Sequence, residues 1–472
     1  MPESAYDVLV VGGGGAGMAA ALAAHEAGAS VLIVEASPRT GGSTALSGGA
    51  FLAAGTSVQH EAGFDGDTAD ELFDYYMTFN QWAVEPGIVR RFSQNAAPTL
   101  EWLRSLGVEF RPQDLGKFAL ERFPRSHPAL GGGAAIAEAL YRACRKTSIE
   151  FAFGIRVDRL LTEDGRVTGV SADGDEITAG SVVVTTGGFG QNRAMLEQHF
   201  PSAVAAGGDD LWSISAETCR GDGLRFTALV GAEMTGHDHG LLQVAPLGSR
   251  DLEPYVPSWL VYVNDEGSRF VNERGPYAVV ARAVLASGGR CWAVIDEKIR
   301  REAKPKARAD FGAGFWSAER ILDAVSSGRA LRADTLRELA EQAGMPSARL
   351  EATIETYNDD CDRGVDSTFE KATTRRRPLR EAPFYALRMA AHVVSITNYG
   401  LRIDPDARVL GASDGRPIPG LFAAGEVTGN VMGPQYVASG NSVANAVVYG
   451  RIAGRSAAVE ARRPVTVGPE GL

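Results

Sequence analysis

An α/β fold built on a parallel sheet is predicted by three stretches of the chain. YDVLVVGGGGAGMAAALAAHEAGASVLIVEAS (6–37) reads as strand, glycine turn, alanine-rich helix and strand. Its DVLVV run is continuously apolar, as a strand buried on both faces must be. Residues 151–188 form a β-rich patch in which DG pairs separate alternating segments, the pattern of hairpins, and it ends in the apolar strand SVVVTTGG. Near the far end, PIPGLFAAGEVTG (417–429) gives one more strand and turn, and VANAVVYGRIAGRSAAVEA (443–461) one more helix.

Between the last two of these stretches lies a segment of different character. Residues 241–384 carry the basic clusters KIRREAKPKAR (298–308) and RRRPLR (375–380) and amphipathic stretches such as LRADTLRELAEQAG. The expected organisation is a nucleotide-type domain from 1–240 and 385–472, with an α+β cap, 241–384, inserted. The basic runs are read as solvated faces and the tail 462–472 as frayed.

Composition bounds the function. A chain of 472 residues holds two or three domains. Its 56 glycines cluster, which points to tight turns near a ligand. A net charge of −11 argues against nucleic acid, whose phosphates need a basic face. Cys144, Cys219, Cys291 and Cys361 lie far apart without CxxC spacing, so free thiols are expected, with neither a disulfide nor a metal role. No signal peptide and no apolar run long enough to span a bilayer are legible, so a soluble cytoplasmic protein without membrane partners is expected.

The first glycine cluster fits G-x-G-x-x-G with Gly12, Gly14 and Gly17, between a predicted strand and a helix, and Glu35 follows eighteen residues past Gly17. Gly12 turns the chain, Gly14 lets the backbone approach a pyrophosphate, and Gly17 lets the helix pack on the strand. The helix N-terminus offers free N–H groups to the phosphates, and Glu35 accepts from a ribose diol. A bare nicotinamide fold would continue into another helix. Here a second glycine- and hydroxyl-rich loop follows, with Gly42, Ser43, Thr44, Ser47, Gly48 and Gly49, suited to a longer cofactor. Asn441 or Ser442 is a candidate cap of the last helix, whose N-terminus would stabilise negative charge on a flavin. These features together point to FAD.

These motifs, with RSHPALGGGAAIAEAL, VVVTTGGFGQN, GDGLRFTALVGAEM, NDEGSRFVNE and IPGLFAAGEVTGNVMG, resemble the FAD-dependent fumarate reductase and 3-ketosteroid dehydrogenase superfamily over nearly the whole chain. The resemblance implies a Rossmann-like FAD-binding domain with a β-rich insertion, an inserted cap, and redox chemistry on a carbon–carbon bond beside an activating group. It adds Gly15, Ala16, Ala36 and Val157 as cofactor residues, then Thr186, Gly187, Gly188 and Asp222, and finally Gly425, Glu426 and Val443. The FAD is expected to be non-covalent, because RTGGSTALSGG lacks the histidine that covalent members use.

The site pattern within this superfamily is distinctive. Dicarboxylate reductases carry an arginine a few residues past R-F-V-N-E, where this chain has Tyr277. Their substrate histidine and second arginine are replaced by Ser395 or Ile396 and by Val437, so succinate or fumarate is not expected. Ketosteroid dehydrogenases place a tyrosine where Tyr277 stands and another four residues before a glycine at the last helix, matched by Tyr436 and Gly440. The resemblance implies that Tyr436 O–H and Gly440 N–H converge on a carbonyl oxygen, an oxyanion hole for an enolate. Those enzymes carry a further tyrosine before a His-Pro pair, where this chain has Ser126. The proton path from Tyr277 is therefore assigned to Ser126, His127 or water. Phe123, Asn398 and Tyr399 are candidate pocket residues, while Trp212 and Trp259 are read as core or wall.

The expected activity is desaturation of a cyclic ketone, a 3-ketosteroid or a smaller cyclohexanone, with Tyr277 as phenolate base and hydride passing to the flavin; the acceptor that then reoxidises it is unspecified. Arg269 and Arg274 are candidates to lower the phenol's pKa. The alternatives are an ene-reductase running the chemistry backwards and a flavin-binding protein without catalysis.

Overall fold

The computed structural model describes residues 5–117, 121–248, 257, 259–302 and 316–462. The basic run 298–308 is described only as far as 302, and the tail lies outside the described residues from 463 onward. β1 (Tyr6–Val11), α1 (Gly15–Glu26) and β2 (Val31–Glu35) follow one another as the sequence predicts. β1 pairs in parallel with β2 on one side and with β4 (Asp175–Val184) on the other, and β2 pairs in parallel with β3 (Glu150–Phe153). The DG pairs form the expected hairpins. Asp164–Gly165 and Asp173–Gly174 have φ of +49°, +75°, +51° and +92°, the paired positive values of a type I′ turn, which matches the twist of the flanking strands. Thus 159–178 is an antiparallel meander that grows from the parallel sheet through β4.

The cap is a second sheet. β5 (Gly240–Pro246) pairs antiparallel with β6 (Phe384–Thr397), and β6 also pairs with Arg290–Asp296, Ala330–Ala333 and the short strand Trp212–Ser213. This moves the boundary expected at 384. β6 is hydrogen-bonded to cap strands along its length, so the chain returns to the nucleotide domain near Asn398. A composition shift marks where basic residues end, but an apolar strand looks the same in either core. Trp212 likewise joins the cap sheet from before residue 241. The run 375–380 is also not wholly a solvated face: Arg376 is buried, and its Nη1 donates to Asp360 O at 3.1 Å. Helix α2 (Tyr277–Ala286) lies on this sheet.

After the cap, β7 (Pro417–Ala423) pairs in parallel with β4 and completes the first sheet, and α3 (Asn441–Ala461) packs parallel to α1. A Cβ on Gly450 would lie 2.3 Å from Ala16 O, and one on Gly454 2.0 Å from Ala20 O. Only glycine permits this approach, which holds the two helices parallel, with both N-termini on the cleft. Among the described residues no helix is long and apolar enough to cross a membrane.

The R-F-V-N-E motif proves to be cap core. Arg269 Nε donates to Glu273 Oε1 at 2.9 Å and its Nη2 lies 2.8 Å from Asp366 Oδ2. Lys371 Nζ lies 3.1 Å from Glu273 Oε2, and both of these side chains are fully buried. Burial opposes the charge on Glu273, but Lys371 and Arg269 overcome it and leave its carboxyl below the usual range. Arg269 is therefore committed to two carboxylates, which corrects its expected role beside Tyr277. Glu273→Leu strands Lys371 as a buried, uncompensated charge. It is expected to cost about 3–5 kcal/mol, read as a lowered urea midpoint, and the double change with Lys371→Met should recover most of it. Equal midpoints for wild type and Glu273→Leu would contradict this role.

Candidate active site

One long cleft runs from the ends of β1 and β2, between the two domains, to the cap strands β5 and β6. Its first wall is the glycine turn. Gly12 has φ +109° and a Cβ there would meet Thr185 O at 2.5 Å, while a Cβ on Gly14 would stand in open space. Gly17 does not line the cleft; its Cβ would lie 1.9 Å from Gly12 O, so its role is the helix–turn contact. Glu35 lines the cleft with Oε2 accepting from Gly13 N–H at 2.6 Å and Oε1 from Ser37 N–H at 2.7 Å. Each carboxylate oxygen keeps a lone pair for a ligand hydroxyl. Gly41 N–H donates to Gly13 O at 2.9 Å, tying the second loop to the first, and Gly42, Ser43, Thr44, Ser47, Gly48 and Gly49 all line the cleft.

Gly15, Ala16, Ala36, Val157, Thr186 and Gly187 lie on the same walls, as do Asp222, Gly425, Glu426, Ser442 and Val443. Asp222 pairs with both Arg156 and Arg225. Glu426 Oε1 accepts from Thr397 N–H and Oγ1–H, each at 2.9 Å, and burial raises its pKa. Gly188 stands behind it, where a Cβ would strike Thr397 Oγ1 and Glu426 Oε1, and is outside the cleft.

The last helix is capped differently from the expectation. Gly440 is its N-cap, with φ +94° and no room for a side chain against the backbone of 50–52. Asn441 is the first helical residue and turns inward, with Nδ2 donating to Tyr76 Oη at 3.0 Å and Oδ1 accepting from Asn445 Nδ2 at 2.7 Å. Neither Asn441 nor Ser442 caps the helix, and neither α1 nor α3 has an acidic residue in its first turn. Two helix N-termini thus face one cleft with no side chain or acid of their own to satisfy them, a place suited to anionic groups. Thr186 Oγ1 and Asn445 Oδ1 are buried in its walls without a partner. The open cradle at Gly14 and these orphaned atoms fit FAD.

At the cap end, Tyr277, the first residue of α2, and Tyr436 pack against the same apolar cluster of Leu241, Ile396 and Met432. Ser442 N–H donates to Tyr436 Oη at 3.3 Å, and Ser442 Oγ lies at the same distance. Burial raises the Tyr436 pKa, opposed by Ser442 and the amides of the helix start, so at neutral pH it is a phenol whose oxygen already accepts at the helix N-terminus.

Other candidates lie elsewhere. Ser126 and His127 belong to a short strand paired with Ala50–Leu52. His127 Nδ1 donates to Arg125 O at 2.8 Å and Nε2 accepts from Thr56 Oγ1 at 2.8 Å; burial lowers its pKa to about 4. Neither residue lines the cleft, and nor does Phe123, which packs near Gly66. Asn398 is buried and donates to Gly433 O at 2.7 Å. Tyr399 stacks on His199, ring centroids 4.0 Å apart, outside the cleft. The sequence reading missed Gln243, Cys219 and Met432 as cleft residues. Gln243 stands two residues from Leu241 on one strand face, a legible alternation once the strand is known. The Cys219 thiol, 3.4 Å from Ser43 Oγ, is pushed up to about 12 by burial.

The FAD binding domain family matches residues 7–443, and the chain belongs to it: it is an FAD-dependent oxidoreductase of the fumarate reductase and 3-ketosteroid dehydrogenase superfamily. It is 32% identical to the NADH:fumarate oxidoreductase of Klebsiella pneumoniae (strain 342) over 98% of this chain and 48% of that protein. The chain therefore spans about half the length of that curated relative. It is 27% identical to the 4-oxocyclohexanecarboxylate 2-dehydrogenase of Sinomonas cyclohexanicum over 98% of this chain and 94% of that protein. Among solved structures, the 3-ketosteroid-Δ4-(5α)-dehydrogenase of Rhodococcus jostii RHA1, in complex with 4-androstene-3,17-dione, aligns with a TM-score of 0.78 and 29% identity, covering 97% of this chain and 98% of that one.

Two outcomes are expected. Acid precipitation should release yellow flavin into the supernatant, because the second loop has no histidine to bond it; colour retained in the pellet contradicts this. His127 should stay neutral in the folded protein at pH 5. Its folded pKa of about 4 lies below the ordinary 6.5, so the stability it contributes is complete above pH 6.5 and declines as pH falls toward 4. An imidazole resonance that titrates near 6.5 in the folded state would overturn this.

Proposed function

We propose that the protein moves two hydrogens across the α,β carbon–carbon bond of a cyclic ketone, in the direction of desaturation. The observation that supports this reading most is the meeting of Tyr277 and Tyr436 on one apolar patch of the cleft. The charged side chains lining the cleft, among the described residues, are Glu35, Arg156, Asp222 and Glu426. Arg156 pairs with Asp222, and the neighbouring Ile155 N–H donates to Glu35 O at 3.1 Å, so this cation belongs to the Glu35 end. The tyrosine end suits a neutral carbonyl and is poor for a dicarboxylate, which would be desolvated without a counter-charge.

FAD, when bound, supplies the hydride acceptor. Tyr436 Oη, polarised by the Ser442 N–H, donates to the ketone oxygen together with Gly440 N–H, and negative charge developing there is favoured at the start of α3. Tyr277 takes the α-proton. An unperturbed phenol titrates near ~10. Tyr277 stands at the first residue of α2, and Arg269 is held away from it by two carboxylates. Leu241, Ile396 and Met432 exclude water from the reacting carbons. The reverse reaction, reduction of an activated alkene with Tyr277 as proton donor, is the second reading, and the likeness to NADH:fumarate oxidoreductase favours it.

Anaerobic mixing with a cyclic ketone should bleach the flavin, whereas pre-reduced protein mixed with the enone should regain colour if reduction is the working direction. Tyr277→Phe should keep FAD and lose ~10²–10⁴-fold of either rate. A variant within a few-fold of wild type would remove Tyr277 from the proton transfer.

A further inference from the structure

We propose that Gln243 and Ser395 form a recognition point for a hydroxyl group on the substrate, separate from the carbonyl that Tyr436 polarises. This rests on the ketone reading above and deepens it. The pairing of β5 with β6 runs Leu241↔Ile396 and then Leu242↔Val394, so Ser395 has no partner across the ladder. It is the extra residue of a β-bulge, a device that re-aims a side chain. As a result Ser395 and Ile396, adjacent in sequence, both line the cleft. On the facing strand Leu241 and Gln243 share one face by alternation, and both line it too.

The two polar side chains are alike in what they lack. Gln243 is 4% exposed and its Oε1 is buried with no hydrogen-bond partner; Ser395 Oγ is also buried without one. Buried polar atoms are normally satisfied, and leaving them unpaired costs stability that a ligand can return. The same strands carry Leu241 and Ile396, the patch on which the two tyrosines meet. The polar point therefore lies one step along the cleft from the reacting bond.

Its chemistry selects among substituents. Gln243 Oε1 needs a donor, and Ser395 Oγ both donates and accepts. A hydroxyl satisfies both at once. A methyl leaves both orphaned. A carboxylate brings acceptors alone to Oε1 and meets no cation, since Arg156 is held by Asp222 at the Glu35 end.

The test uses the FAD-loaded protein and dissociation constants read from the change in flavin absorbance. The ligands are 4-hydroxycyclohexanone, 4-(hydroxymethyl)cyclohexanone, 4-methylcyclohexanone and 4-oxocyclohexanecarboxylate. One of the two hydroxyl compounds should bind about tenfold more tightly than the methyl and carboxylate compounds, the yield of two modest hydrogen bonds. In Gln243→Leu and Ser395→Ala that advantage should shrink to about twofold or less, with 4-methylcyclohexanone binding unchanged or tightened, which a merely misfolded variant would not show. The proposal is overturned if neither hydroxyl compound exceeds the methyl compound in wild type. It is also overturned if the advantage survives both variants. If either variant shifts the flavin spectrum without ligand, the pair serves the cofactor and the proposal falls. If no ketone binds or bleaches the wild-type flavin, the ketone reading fails and takes this one with it; ketones that react without a hydroxyl preference defeat this inference alone.

Discussion

The contact between α1 and α3 is the constraint on which the rest of the molecule depends. These helices come from opposite ends of the chain, and they approach until Gly450 and Gly454 lie against the backbone of Ala16 and Ala20. A methyl at either glycine would push them apart. Their close packing closes β1, β4 and β7 into one sheet layer and fixes two helix N-termini beside one cleft. The same start of α3 that lines the cleft also holds Ser442 against Tyr436 Oη. The geometry around the Tyr436 hydroxyl is therefore inherited from a backbone contact more than one helical turn away.

The cap supplies the other half by an independent device. A buried network of Arg269, Glu273, Asp366 and Lys371 stiffens the turn that leads into Tyr277. Such a network contributes little net stability against an apolar core, but it breaks badly when one member is lost. Its service here is to fix the start of α2. The motif residues hold the loop, and the residue just beyond them faces the cleft.

Much of this was legible in the sequence, for reasons that are local. The need for glycine at 12 and 17 was legible because a tight turn and a close helix approach each exclude a side chain, although Gly17 meets the turn at Gly12 and not the strand. The DG hairpins read correctly because type I′ turns demand positive φ at two successive residues. What was not legible depends on pairing across the sheet. Ser126 precedes the His127–Pro128 pair, which suggested a proton path, but this strand pairs with Ala50–Leu52, which turns His127 toward Thr56. Asn398 and Tyr399 follow the last cap strand and face Gly433 and His199. Gln243 follows Leu241 by alternation on its own strand, but Ser395 reaches the cleft through a bulge that only the pairing across the sheet reveals. Arg269 looked free because its partner Asp366 lies about a hundred residues later, and because its other partner, Glu273, is shared with a distant Lys371.

The central claim is that a neutral carbonyl is polarised at the start of α3 by Tyr436. The most direct measurement is exchange of the hydrogens beside the carbonyl of a saturated cyclic ketone, followed in deuterated water with the FAD-loaded protein. That exchange needs enolisation and no hydride transfer. Wild-type protein should catalyse it, and Tyr436→Phe should slow it by ~10²–10³-fold, the worth of one donor in an oxyanion hole, while the flavin stays bound. Exchange as fast in Tyr436→Phe as in wild type would contradict the claim and leave the phenol as packing among small residues.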